Sequence, residues 1–175
     1  GSLRSNAAHH KMSRERINVI RSLDLLVIDE ISMVRADLLD GIDEVLRRYR
    51  HDQRPFGGIQ LLMIGDLNQL PPVIKDSEWS MLNEHYATPY FFSSLALGTT
   101  RPVRIELTKI FRQADDRFIT ILNQVRDNRL EEANLKILNE RYIKDFNPEE
   151  GEGYITLMAK NEPAQKMNRA KLEAL

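Results

Sequence analysis

Two short apolar runs dominate the pattern of the chain: residues 23–28 (LDLLVI) and residues 59–64 (IQLLMI). Each stops at acid, Asp29-Glu30 after the first and Gly65-Asp66 after the second. Short runs without strict alternation predict parallel strands covered on both faces. Between them, Leu38, Leu39, Ile42, Val45, Leu46 and Tyr49 recur at helical spacing. Asp37 and Asp40 come early in this segment, and Arg47, Arg48 and Arg50 late, the order a helix dipole favours. An amphipathic helix over 36–50 is therefore expected, closed by the breaker Pro55-Phe56-Gly57-Gly58. Strand, helix and strand in this space imply a right-handed βαβ unit in a parallel sheet.

The flanking pattern is weaker. Residues 11–21 read as a charged surface helix, and Pro71-Pro72 forbids further strand after the second run. Residues 73–97 read as mixed loop and short helix, with aromatic weight at Tyr86, Tyr90, Phe91 and Phe92. Residues 103–107 (VRIEL) alternate enough to predict a third strand. Helices are expected over 115–127 and 130–142, a strand over 154–158 and a helix over 163–175. The polar stretch FNPEEGEG at 146–153 marks the expected domain boundary, giving a first domain over 11–147 and a second starting over 148–175. Residues 1–10 lack Met and read like a cloning scar or a disordered start.

Composition narrows the classes. With 42% hydrophobic and 29% charged residues the 175-residue chain is globular. Lys+Arg 25 against Asp+Glu 26 excludes a strongly basic nucleic-acid wrapper, although a local basic strip can hide in a neutral total. The absence of cysteine removes disulfide, thiolate-zinc and cysteine-nucleophile chemistry, and fits an intracellular setting. His9, His10, His51 and His85 show no ligand spacing, and no apolar run reaches the ~18 residues of a membrane span.

The candidate chemistry sits at the strand ends. In open α/β sheets ligands lie beyond the carboxyl ends of the strands. Asp29-Glu30 there suits a nucleotide hydrolase, one carboxylate for Mg²⁺ and the other as proton acceptor, or else a helix-capping Asp beside a solvated Glu. Gln69, just past the second strand, offers a donor and an acceptor for a γ-phosphate and a water, or is a turn residue facing solvent. Arg112 is either a guanidinium for phosphoryl charge or a surface partner of Asp115 or Asp116. The basic run Arg47, Arg48, Arg50, His51 and Arg54 could touch phosphate but fits a solvated helix end better. Tyr90, Phe91 and Phe92 could stack on bases but fit an apolar cluster under the sheet better.

Taken in order, VIDEISM (27–33), PFGGIQLLMIGDLNQLPPV (55–73) and ELTKIFRQADDRFITILNQVR (106–126) resemble the PIF and RecD-like branch of superfamily-one DNA helicases. The resemblance runs from about residue 18 to the end of the chain. It implies a RecA-like α/β P-loop NTPase domain with the start of a second. It also implies an ATP-dependent 5′-3′ DNA helicase of repair, recombination or replication, in a cytoplasm of bacterial type. ATP and Mg²⁺ would be its cofactors, single-stranded and forked duplex DNA its partners, and no membrane is involved. By matching position Asp29 would bind Mg²⁺, Glu30 would be the base, Gln69 would couple the γ-phosphate to DNA and Arg112 would be the arginine finger. All four would contact the nucleotide site.

One departure limits this. No glycine in the sequence is followed by lysine, so the GxxxxGK[ST] phosphate loop is absent from these residues, which are expected to be inactive alone. In the arrangement that the resemblance implies, the loop's strand would lie beside residues 59–64 and near 103–107, and its lack predicts self-association across the gap, cover of the gap by residues 1–14, or a chain trimmed from a longer one that held the strand. The rival reading is a non-catalytic helicase remnant that binds DNA or a partner. A clamp-loader-like ATPase is disfavoured by QLPPV followed by FRQ.

Overall fold

A computed structural model describes residues 12–111, 113–146 and 153–173. The chain divides into two compact units, Gly1–Ile119 and Thr120–Leu175. The expected boundary at 146–153 falls largely on residues 147–152, outside those described.

The first unit is built on the expected βαβ frame. Helix α1 (Arg14–Ser22) starts at Ser13, whose hydroxyl accepts from the Arg16 N–H, with Glu15 in its first turn and Arg21 in its last. Strand β1 (Leu25–Ile28) and strand β2 (Gln60–Met63) pair in parallel, in register from Leu25 opposite Gln60 to Ile28 opposite Met63. Helix α2 (Ala36–Arg50) makes the crossover and buries Ala36, Leu39, Asp43 and Leu46. Leu39 and Leu46 form the core with Phe56, Ile59, Ala96 and Leu97. Leu26, Ile28, Leu61 and Met63 pack onto this core from the sheet.

Among the described residues the sheet is covered on one face only. Alternation turns Leu25, Val27 and Leu62 away from the core, at 43, 48 and 45% exposure. This corrects the expectation of two covered faces. It also shows that run composition alone does not say what lies on each side. Residues 103–107 join no sheet among the described residues, with Val103, Ile105 and Leu107 at least 79% exposed. Alternation sets which face a side chain takes, but a strand exists only by pairing, and no partner stands beside this segment among the described residues.

The basic end of α2 is consumed internally. Arg50 Nη1 donates to the carbonyls of Ile20, Arg21 and Leu23 at 3.0, 2.9 and 2.8 Å, satisfying the C-terminal end of α1. Its Nε donates to the Gly57 carbonyl at 3.0 Å. Arg47 pairs with Asp43 at 2.8 Å, and Arg54 with Asp52 at 2.6 Å. The Arg54 hydrogen bond holds the Asp52 carboxyl down at about 2. Arg21 meets His51 Nε2 at 3.2 Å. The run departs from the expected solvated helix end: Arg47, Arg50 and Arg54 are tied to neighbouring carboxylates and carbonyls.

The PFGG breaker is a left-handed turn, with φ of 55, 61 and 70° at Phe56, Gly57 and Gly58. A Cβ on Gly57 would stand 2.8 Å from the Leu46 carbonyl oxygen, so glycine is required there. Asp43, buried on α2, accepts from the Phe56 N–H at 2.5 Å and fixes the turn against the helix.

Helix α3 (Asp76–Leu82) and the short helix α4 (Leu95–Gly98) complete this unit. A second apolar cluster joins Ala36 to Leu82 and Tyr86, with Ile74 and Trp79 against it. Asp40 ties α2 to α4: its carboxylate accepts from Tyr86 Oη, Ser94 Oγ and the N–H groups of Leu95 and Ala96 at 2.6–3.1 Å. Phe91 packs on the main core, whereas Phe92 is 49% exposed and stacks on Tyr90 with ring centroids 5.3 Å apart. The expected aromatic cluster is thus split between core and surface.

Helix α5 (Asp116–Arg126) spans the division between the units, and helices α6 (Glu132–Asn139) and α7 (Asn161–Glu173) follow in the second. Ile121 on α5 is buried, and Gln124 Oε1 accepts from Asn134 Nδ2 at 2.7 Å, linking α5 to α6. The expected strand over 154–158 does not form; Ile155 and Leu157 are 86 and 92% exposed, again without a paired neighbour among the described residues.

Candidate nucleotide site at the strand ends

The carboxyl ends of β1 and β2 are fastened by backbone. Ile64 N–H donates to the Ile28 carbonyl and Ile31 N–H to the Ile64 carbonyl, both at 2.9 Å. The acids after β1 and the turn after β2 therefore share one sheet edge, as the parallel register demands. Gly65 makes this approach possible. A Cβ there would lie 2.9 Å from Ile31 Cγ2, 3.0 Å from Ile31 N and 3.1 Å from Ser32 N.

After β1 the chain turns sharply. Glu30 takes the left-handed conformation, φ 50 and ψ 42°, and leads into a 3-10 turn over Ile31–Met33. A glutamate in this region is uncommon and is held there by its surroundings. The Glu30 N–H donates to Asp29 Oδ1 at 2.9 Å, which orients the Asp29 carboxylate and occupies one oxygen. Both carboxylates are exposed. Below them Ser32 is 1% exposed, and its hydroxyl has no hydrogen-bond partner among the described residues.

After β2, Asp66 organises a tight turn. Its Oδ1 accepts from the Asn68 N–H at 3.0 Å, and its carbonyl accepts from the Gln69 N–H at 3.1 Å. Its Oδ2 accepts from Gln69 Nε2 at 3.3 Å. Gln69 is exposed at the tip, and Pro72, three residues on, is buried. The structure thus brings Asp29, Glu30 and Gln69 to one edge, whereas Arg112 lies outside the described residues.

The motif order along these elements matches a known family. The sequence model described as PIF1-like helicase matches residues 4–136, most of the chain. The chain belongs to the PIF1-like helicase family. The ATP-dependent DNA helicase PIF1 of Homo sapiens is 50% identical over 102 residues, covering 58% of this chain and 14% of that protein. A Bacteroides Pif1 helicase solved with ADP-AlF3 and single-stranded DNA matches at TM-score 0.85 and 38% identity, over 94% of this chain and 38% of that one. A Pif1 structure described for DNA unwinding at forked double-stranded DNA by two coordinating helicases matches at TM-score 0.82 and 40% identity, over 93% of this chain and 38% of that one. This PIF1-like chain therefore spans well under half the length of the relatives it matches. Its α/β fold with a small parallel sheet is that of the RecA-like Pif1 domains.

The Mg²⁺ that the motif resemblance implies would find a fitting donor at this edge. Among those described there is no group of three or more His, Asp or Glu able to hold an ion by themselves. Mg²⁺ bound with nucleotide needs less, since one or two carboxylates suffice when phosphates and water supply the other positions. Asp29, oriented through one oxygen by the Glu30 N–H, is such a carboxylate. The sequence places Gly65-Asp66 at an acidic strand end without giving either a role: the need for Gly65 is legible only once the strand ends meet, and the Asx-turn spacing from Asp66 to Asn68 is the signal for the turn.

Proposed function

We propose that this chain carries the hydrolytic half of the nucleotide site of an ATP-dependent DNA helicase, moving 5′ to 3′ on single-stranded DNA. The observation that carries this is the fastened strand-end edge, Asp29-Glu30 beside Gly65-Asp66 with Gln69 at the turn tip. Mg²⁺ at Asp29 would offset phosphate charge. Glu30 takes the proton of the water that attacks the γ-phosphorus, and the ADP oxygen leaves. Gln69 reads the γ-phosphate and passes its state to the DNA-bound parts of the protein. Arg112 serves as the arginine finger, a role drawn from motif position alone. The phosphate-cradling lysine is not among these 175 residues.

Single-stranded and forked duplex DNA are the proposed partners, supported by the DNA in the related structures. Repair, recombination or replication is the proposed setting. The exposed sheet face of Leu25, Val27 and Leu62 supports self-association of the 175-residue chain.

The test is Glu30→Gln in the full-length gene product. It keeps size and hydrogen bonding while removing the proton acceptor, so DNA-stimulated ATP turnover should fall by ~10²-fold or more with nucleotide binding retained. Parental turnover in this variant would refute the assignment.

A further inference from the structure

We infer that Asp66 is a positioning residue that sets which end of the Gln69 amide faces the nucleotide. The inference rests on the proposed role of Gln69 and deepens it. Asp66 Oδ2 lies 3.3 Å from the Gln69 amide nitrogen. A carboxylate only accepts hydrogen bonds, so the group it touches must be the NH₂; the reversed amide would set two oxygens against each other. Gln69 is exposed and would otherwise rotate between both orientations at little cost. With its nitrogen engaged on Asp66, Gln69 presents its carbonyl oxygen as an acceptor and keeps the second N–H as a donor. An attacking water needs the acceptor, and a γ-phosphate oxygen needs the donor. Asp66 would then act on catalysis through Gln69 without touching substrate.

The competing account is that Asp66 merely builds the turn, through Asn68 N–H on Oδ1 at 3.0 Å. Two substitutions separate the accounts. Asp66→Asn keeps an acceptor for the Asn68 N–H but places an NH₂ toward Gln69, which should draw in the amide oxygen and reverse the side chain. Asp66→Ser keeps a turn acceptor but is too short to reach Gln69.

In the full-length gene product, Asp66→Asn should lower kcat for DNA-stimulated ATP hydrolysis ~10-fold or more. KM for ATP and the urea midpoint should stay near wild type. Asp66→Asn combined with Gln69→Ala should be no worse than Gln69→Ala alone, a non-additivity that a turn-building role does not produce. In the 175-residue chain, ¹⁵N relaxation should show the Gln69 side-chain amide ordered in wild type and freely rotating in Asp66→Ser. Equal mobility in the two overturns the tether. Turnover lowered by Gln69→Ala yet untouched by Asp66→Asn overturns the inference alone. Turnover unaffected by Gln69→Ala overturns the phosphate-sensing role, and the inference with it.

Discussion

Gly65→Ala tests whether the contact between the two strand ends is as tight as the geometry demands. The added methyl would meet Ile31 Cγ2 at 2.9 Å, Ile31 N at 3.0 Å and Ser32 N at 3.1 Å. Ordinary carbon contacts begin near 3.5 Å, so the neighbours must retreat by roughly half an ångström. The side-chain methyl of Ile31 can turn aside. The two backbone nitrogens cannot move alone, because Ile31 N–H is bonded to the Ile64 carbonyl at 2.9 Å, one residue before the substitution. Relief therefore has to come from parting the strand ends.

Overpacking of this kind costs about 1–3 kcal/mol, and weakening the Ile31–Ile64 hydrogen bond adds about 1 kcal/mol. A loss of about 2–4 kcal/mol in unfolding free energy is expected, a large share of what a domain of this size holds. The measurement is urea unfolding of the 175-residue chain, with unchanged slope and a lowered midpoint. In the full-length gene product the same half-ångström shift separates Asp29 and Glu30 from Gln69, so turnover should also fall, by ~10-fold or more. A midpoint within error of wild type would mean the edge has slack. The claim that it fixes the geometry of the site would then be wrong.

Three further outcomes follow from the same structure. Ser32→Ala removes a buried hydroxyl that has no partner among the described residues, so urea unfolding should show stability unchanged or raised by up to about 1 kcal/mol; a loss of more than that would mean the hydroxyl is bonded. Asp40→Ala strips the common acceptor of Tyr86, Ser94, Leu95 and Ala96, and should cost about 3 kcal/mol by the same assay. The purified 175-residue chain should show no DNA-stimulated ATP turnover, because it lacks the lysine and backbone cradle for the β- and γ-phosphates; activity that survives further purification would contradict this.

The central frame was legible because its signals were local and redundant. Leu38, Leu39, Ile42 and Leu46 repeat at helical spacing, acids and arginines sit at the proper ends, and PFGG punctuates the exit. Helix α2 over Ala36–Arg50 is the result. Segments 103–107 and 154–158 differ from the expected strands for one shared reason. Alternation of Val103, Ile105 and Leu107 describes faces, whereas a strand is defined by its neighbour, which periodicity does not encode. The basic run was ambiguous in sequence because its partners, the carbonyls of residues 20, 21 and 23 for Arg50, lie far away along the chain. Asp29, Glu30 and Gln69 could be named from motif order. The polarity of the Asp66–Gln69 contact could not, since a hydrogen bond's direction follows from placed atoms rather than from spacing.

The strand-end edge also explains why an exposed glutamine can be a reliable sensor. The turn carrying Gln69 is anchored before it, where Gly65 lies against Ile31 and Ser32, and after it, where Pro72 is buried. From Pro72 the chain runs through Ile74 into α3, and Trp79 and Leu82 pack with Ala36, the first residue of α2. Ala36 in turn follows the Glu30–Met33 turn and is bonded through its N–H to the Pro89 carbonyl at 2.9 Å. The path from Glu30 to Gln69 is therefore closed on both sides by packed or hydrogen-bonded groups. A rigid frame of this kind leaves rotation of the Gln69 side chain as the cheap motion at the tip, and a bond to Asp66 is enough to select one orientation.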